Sequence, residues 1–308
     1  MPLLEIPSDA LHKSACQVCQ GEVMPSAAAW ISRCSSCGVL SSKFPVLIPE
    51  HVAESKIDED ERGAGLMAVR QRNNALLFDL LRGLGKSSGR MLDVGSGQGQ
   101  LCIEASRRGF TVIGIEPDAN VINQARAISG VEIRHGYFPT PLAQDELFDV
   151  IVFNDVLEHI PDARAAVAAS ARHLNCGGIL ILNCPNQSGI FYKIASLLSK
   201  FGLNQPLLRL WQSDLPSPHV WYFRPDHLVA LGKLTGLEEA KIETLPLIVS
   251  AGLKERIFFV KNQSALWGYG ALFIMRTLLP ALKFLPHDTA IVFLRKPDER
   301  SKTGSLRG

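Results

Sequence analysis

The chain lacks an excess of charge of either sign: 32 Lys and Arg stand against 30 Asp and Glu, a formal net charge of +2 over 308 residues. With no polybasic run and only 7% aromatic residues, it has neither the electrostatic footprint nor the stacking platforms of a protein built to bind nucleic acid. Uninterrupted apolar runs are missing too. The most apolar segment, Ala265 to Leu285, contains Arg276 and Lys283 and is broken by Pro280, so it makes a poor bilayer span. No internal repeat or low-complexity tract appears, which excludes solenoids and propellers. Met1 to Asp9 shows neither a basic region nor a long apolar stretch, so no secretory signal is expected and cytoplasmic residence follows. What is present is 46% hydrophobic content, ample for one large domain and a small one.

Of seven cysteines, four form two C-x-x-C pairs, Cys16-Gln-Val-Cys19 and Cys34-Ser-Ser-Cys37, separated by fourteen residues. Each pair can turn two thiolates toward one ion, and together they close a tetrahedron, the signature of a zinc ribbon. Four thiolates leave no open coordination position, so such a zinc ion would be structural. Disulfides compete as a reading, but reducing conditions in a cytosolic chain disfavour them. Few basic residues (Lys13, Arg33, Lys43) flank the module, which suggests a role in stability or dimerisation. Cys102, Cys176 and Cys184 have no partner spacing and read as small buried residues, Cys184 near a pocket.

The densest information lies in Arg90-Met-Leu-Asp-Val-Gly-Ser-Gly-Gln-Gly99 and Val112-Ile-Gly-Ile-Glu-Pro-Asp118. Met91, Leu92 and Val94 read as a buried parallel strand, Gly95, Gly97 and Gly99 as a tight turn that lets a ligand approach the backbone, and Leu101 to Arg108 as the helix behind it. A dinucleotide fingerprint would place a third glycine where Gln100 stands. Asp93 at the strand tip would also repel a pyrophosphate, while it attracts the ammonium or sulfonium of S-adenosylmethionine. Glu116, ending the next strand, is placed to accept hydrogen bonds from ribose hydroxyls. A helix cap and a solvated strand end are the plain alternative for these two acids.

With these motifs the chain resembles the class I S-adenosylmethionine-dependent methyltransferases over roughly residues 70–245. The resemblance continues through Phe148-Asp-Val-Ile-Val-Phe-Asn-Asp-Val-Leu-Glu-His-Ile-Pro161. It implies an α/β fold, a doubly wound Rossmann-like sheet with an antiparallel closing strand (Thr289 to Arg295), preceded by the zinc ribbon. It implies cofactor contacts at Asp93, Gly95, Ser96, Gly97, Gly99, Glu116, Asn154 and Asp155. Arg134-His-Gly-Tyr-Phe-Pro139 departs from the family by lacking an acidic residue near Tyr137 to read the adenine amino group. Methyl transfer needs one positioned base; His159 is the first candidate, against a plain role for Glu158-His159 in bracing the loop. His219 is the second catalytic candidate; with Trp221 and Tyr222 it is placed either in the lid over the acceptor or in core packing.

The domain organisation expected is a zinc-ribbon-like module at 10–45, a helical connector at 46–88, a methyltransferase domain at 89–297 with helical insertions at 187–235 and 262–287, and a flexible tail at 298–308. Arg256 to Val260 reads as a further strand. Gly189 to Phe201 carries apolar residues at helical spacing with Lys193 and Lys200 on another face. This helix and Ala265 to Leu285 suit core or homodimer packing, a hydrophobic acceptor, or peripheral contact with the inner face of a membrane. The small-molecule acceptor implied by the resemblance is a sugar, a glycan precursor or a related biosynthetic metabolite. O-methylation of a phenolic, quinone-like or lipid-linked substrate is the alternative among methyltransferases; outside them stand a non-catalytic zinc-dependent metabolite-binding module and, among nucleotide-cofactor enzymes, a nicotinamide-dependent dehydrogenase.

Overall fold

Strands covered on both faces need apolar side chains at nearly every position, and the run from Met91 to Val94 supplies them at Met91, Leu92 and Val94, with Asp93 the exception near the strand's end. In the computed structural model, which describes residues 15–26, 28–45, 59–215, 217–245, 254, 265–282 and 285–298, this run belongs to β4 (Gly89–Val94). Before it lie three short strands, β1 (Val23–Pro25), β2 (Ile31–Cys34) and β3 (Leu40–Ser42), and the helix α1 (Glu59–Gly83). After it come α2 (Gln100–Arg107), β5 (Phe110–Glu116), α3 (Ala119–Ser129), β6 (Glu132–His135), β7 (Phe148–Asn154), α4 (Ala163–His173) and β8 (Leu174–Pro185). The chain continues through α5 (Ile190–Ser199), α6 (Gln205–Leu210), β9 (Trp221–Tyr222), α7 (Pro225–Lys233), β10 (Glu238–Leu245), α8 (Ala265–Leu282) and β11 (Thr289–Arg295).

The large sheet has seven strands in the order β10-β11-β8-β7-β4-β5-β6. β6, β5, β4, β7 and β8 run parallel, while β11 inserts antiparallel between β8 and β10. The closing strand expected at Thr289 to Arg295 is therefore present, one place in from the edge. Strand order reverses between β4 and β7, so the carboxyl ends of β4, β5 and β7 frame the crevice where open α/β sheets take ligands.

Side chains alternate cleanly between two cores. Met91, Val150, Val152, Ile179, Ile181, Ile291 and Phe293 face one layer with Leu77, Phe78 and Leu81 of α1. Leu92, Val94, Ile151, Phe153, Leu180, Leu182 and Val292 face the other, with α4 and α7. Through these three residues the helix of the expected connector belongs to the sheet's core. Residues 46–58, the expected strand Arg256 to Val260 and the tail from 299 lie outside the described residues. Helix α8 runs through Pro280 to Leu282 without breaking there.

The cysteine module is also not set apart. β1, β2 and β3 form an antiparallel sheet whose fourth strand is β9, with Leu40 opposite Tyr222 and Ser41 opposite Trp221. Cys16, Val18, Cys34 and Val39 share one buried cluster with the large sheet. Among the described residues no helix is long and apolar enough to cross a membrane.

Candidate functional site

The turn after β4 is shaped by φ values that only glycine adopts without strain: Gly95 at 70°, Gly97 at 52° and Gly99 at 76°, the last capping α2. At Gly95 a Cβ would also lie 2.6 Å from Val156. At Gly97, by contrast, a Cβ would meet nothing within 4 Å, so the turn's backbone faces open space on that side. Ser96 is buried, and its hydroxyl has no hydrogen-bond partner among the described residues. Gly114 accommodates it, since a Cβ there would come 2.6 Å from Ser96 Oγ.

Two carboxylates border this turn. Asp93 is 2% exposed and receives one hydrogen bond, from the Cys102 thiol at 3.3 Å. Burial lifts its carboxyl to about 7, against the weak help of that thiol, and the nearby Glu116 charge adds to the rise. Glu116 accepts from the Gly97 amide at 2.9 Å and the Asp118 amide at 3.0 Å; burial raises its pKa, and these two N–H groups oppose the rise. Asp118 is the α3 cap, its side chain accepting from Asn120 and Val121. Asp93 and Glu116 are thus buried acids with no lysine or arginine hydrogen-bonded to them among the described residues, and the residues present fit a cationic nucleoside: Asp93 toward its positive end, Glu116 and the Gly97 turn toward its ribose.

The second half of the site is the loop after β7. Asn154 Oδ1 accepts from Asn183 Nδ2 at 2.7 Å, and Asp155 takes a left-handed φ of 57° while its amide donates to the Asn183 carbonyl at 2.9 Å. A short 3-10 turn, Leu157–His159, follows. His159 places Nδ1 3.1 Å from the Pro218 carbonyl and 3.3 Å from Ser217 Oγ. A carbonyl can only accept, so Nδ1 carries the proton and Nε2 keeps its lone pair. Burial lowers the pKa of His159, with the Pro218 bond working against it.

Behind it stands His219, 3% exposed, with ring centroids 4.8 Å apart and Nδ1 lacking a hydrogen-bond partner among the described residues. Its pKa falls well below the ordinary value, first through burial and then through His159. Glu158 is 1% exposed, with neither oxygen holding a hydrogen-bond partner of good geometry among the described residues. Its pKa is driven well above the ordinary value by burial and then by the Asp155 charge. Glu158, His159 and His219 each offer a ligand atom, all within 4.8 Å of one another. This donor set could hold a divalent cation as well as pass a proton. The lid candidates Trp221 and Tyr222 are buried, and Trp221 Nε1 donates to the Ile160 carbonyl at 3.0 Å, which places them in the packing under this loop.

The four ribbon thiols also converge. Cys16 and Cys37 Sγ are 3.7 Å apart, Cys19 and Cys34 Sγ 3.4 Å, and all four lie within 4.8 Å of one another. Zinc–sulfur bonds of about 2.3 Å in a tetrahedron require sulfurs about 3.8 Å apart, so the cluster fits zinc. Burial pushes Cys16 up to about 11, whereas at Cys34 the burial cost is outweighed by the amides of Cys37 and Ser36, which bring the thiol to about 6.

Gln17, inside the first cysteine pair, carries no signal in the sequence and ties this module to the loop after β7. Its Nε2 donates to the Pro161 carbonyl at 2.9 Å and its Oε1 accepts from the Arg164 amide at 3.2 Å. On the other side Ser42 Oγ donates to the His219 carbonyl at 2.7 Å, and the Val220 amide donates to the Glu158 carbonyl at 2.8 Å. Stripping a bound zinc with a chelator is therefore expected to loosen residues 157–164 while leaving the Gly95–Gly99 turn intact. Hydrogen exchange should show faster amide exchange at the loop and no change at α2; an unchanged loop would separate the two sites.

Residues 68–241 match the family described as "Methyltransferase domain", and the chain belongs to that family. Its sequence is 30% identical over 155 residues to the ubiquinone biosynthesis O-methyltransferase of Pseudomonas putida (strain W619), covering 48% of this chain and 64% of that protein. It is 31% identical over 136 residues to the ubiquinone biosynthesis O-methyltransferase of Bradyrhizobium sp. (strain ORS 278), covering 42% of this chain and 51% of that one. The chain thus spans between half and two thirds of the length of these curated relatives. Its fold is that of the SAM dependent methyltransferase from Archaeoglobus fulgidus, with a TM-score of 0.50 at 14% identity, covering 78% of this chain and 97% of that one.

Proposed function

We propose that the protein transfers a methyl group from S-adenosylmethionine to a hydroxyl of a phenolic or quinone-like small molecule. The observation that carries the cofactor half is the pair of buried acids, Asp93 and Glu116, on adjacent parallel strand ends beside a glycine turn open to solvent. Burying such groups without a cation is costly. The acceptor half leans on the relatives named for ubiquinone O-methylation, and for that reason a phenol is preferred to the sugar-type acceptor that the sequence suggested.

S-adenosylmethionine, when bound, supplies an electrophilic methyl group on a sulfonium. Asp93 would face its positive charge, Glu116 its ribose, and Gly95, Ser96, Gly97 and Gly99 the backbone side of the cleft; Asn154 and Asp155 would border its amino-acid end. His159 serves as the general base: the Pro218 carbonyl holds Nδ1–H, and Nε2 takes the acceptor's hydroxyl proton. His219 packs against the ring, and burial keeps His159 neutral. The zinc ribbon, in this reading, is structural and braces the loop.

The test is incubation of the full chain with methyl-labelled S-adenosylmethionine and a set of catechols, hydroxyquinols and sugar nucleotides, followed by product identification. Label in a phenolic ether is the expected product. Label in a sugar would restore the other acceptor class, and no uptake of cofactor by calorimetry would end the enzyme reading altogether.

A further inference from the structure

An amphipathic helix normally turns its apolar stripe inward and a polar face outward, but α5 is apolar on its outer side as well. Its buried residues are Tyr192 and Ala195, packed in a cluster with Leu207 and Trp211 and with Ile31, Leu40 and Tyr222 of the small sheet. Its start is pinned by Asp288, which accepts from the Phe191 amide at 2.8 Å. The inner face is thereby committed. The outer face carries Ile194 at 47% exposure and Leu197 at 55%, continued by Phe201 at 76% and Leu203 at 57% in the turn that follows. Lys193 and Lys200 are exposed on the same side. At 3.6 residues per turn Lys193, Ile194, Leu197, Lys200 and Phe201 fall within an arc of about 120°.

We infer that this face is a docking surface for an anionic bilayer. Residues 190–203 contain two lysines and no acidic residue, the combination of apolar depth and positive rim that suits an interface rich in acidic lipid. A second copy of the chain fits it poorly, because a two-fold seam on this stripe would bring the lysines of both copies together in a dehydrated interface. Helix α8 repeats the pattern, with Tyr269, Phe273 and Ile274 exposed, Arg276 exposed beside them and no acidic residue between Ala265 and Leu282. Binding to the bilayer stands on this surface alone; only its use, bringing the site to a membrane-dissolved phenol, rests on the function proposed above.

The experiment is co-sedimentation of the full chain with vesicles of phosphatidylcholine alone or with one third phosphatidylglycerol, read without any methyl transfer. We expect binding to the mixed vesicles and roughly thirtyfold weaker binding once Lys193→Glu and Lys200→Glu are combined. Leu197→Glu with Phe201→Glu should lose vesicle binding by at least about tenfold while circular dichroism and calorimetric uptake of S-adenosylmethionine stay as in the wild type. Equal binding by the apolar variant, or no binding to either vesicle, overturns the inference. So does a lipid-free dimer in sedimentation equilibrium that the apolar variant dissociates, since the occupant would then be a second copy. Vesicle binding without methyl transfer to any phenol would retain this inference and remove the functional reading.

Discussion

Substituting Asp93 by asparagine is expected to weaken S-adenosylmethionine binding roughly 10²-fold and, in the same protein, to raise the melting temperature of the ligand-free chain. Both effects have one cause. Burial has raised the Asp93 carboxyl from its ordinary value of 3.8 to about 7, so the folded chain without ligand holds the proton more tightly than the unfolded chain. The resulting stabilisation is fully present below about pH 3.8 and is lost as pH rises through about 7. Above that pH the ionised side chain burdens the fold, and asparagine, neutral and nearly the same shape, removes the burden. A bound cation reverses the balance by favouring the carboxylate, so affinity in the wild type should strengthen as pH rises toward about 7 and should be flat in the variant. Calorimetry across pH 5.5–8.5 with thermal unfolding of both ligand-free proteins reads all three outcomes. A variant that binds as tightly as the wild type would remove Asp93 from the site.

The second large effect is expected at His159. Replacement by alanine should lower kcat by about 10²–10⁴-fold, the usual worth of a positioned base, with the dissociation constant for the cofactor unchanged because the ring borders the acceptor side. The pH profile carries the sharper signature. Burial holds the ring's pKa below its ordinary value, so Nε2 is already unprotonated near neutrality, and the rate should fall only on the acid side. That acid limb should vanish in His159→Ala and persist, at lower amplitude, in Gln17→Ala, where the loop's brace is cut but the base remains. If His159→Ala keeps wild-type kcat and the acid limb, the histidine is a brace and the base lies elsewhere.

Much of this site was legible in the sequence because its determinants are local. Asp93 stands one residue before the end of its strand and Glu116 ends the next, and the glycines between them follow from the bend the chain must make there. Cys16, Cys19, Cys34 and Cys37 announce their convergence by spacing alone, and His159 sits four residues after Asp155 in one short loop. What could not be read depends on contacts across the chain. The link from Gln17 to Pro161 crosses 144 residues, and neither glutamine nor proline marks itself. The boundary drawn at residue 89 fell inside one core, since Leu77, Phe78 and Leu81 look like any helical stripe until the sheet they cover is known. For α5 the periodicity was visible, but which side meets the protein depends on Asp288 and Trp211, both remote in sequence.

The pairing of β3 with β9 has a consequence for how the chain comes into being. Ser42 and His219, which it brings together, stand 177 residues apart, so the cysteine knuckles emerge from the ribosome long before the strand that completes their sheet. The N-terminal module must wait, thiols exposed, for nearly the whole nucleotide-binding half to be made, and an amino-terminal fragment cut ahead of that strand would carry an open sheet edge.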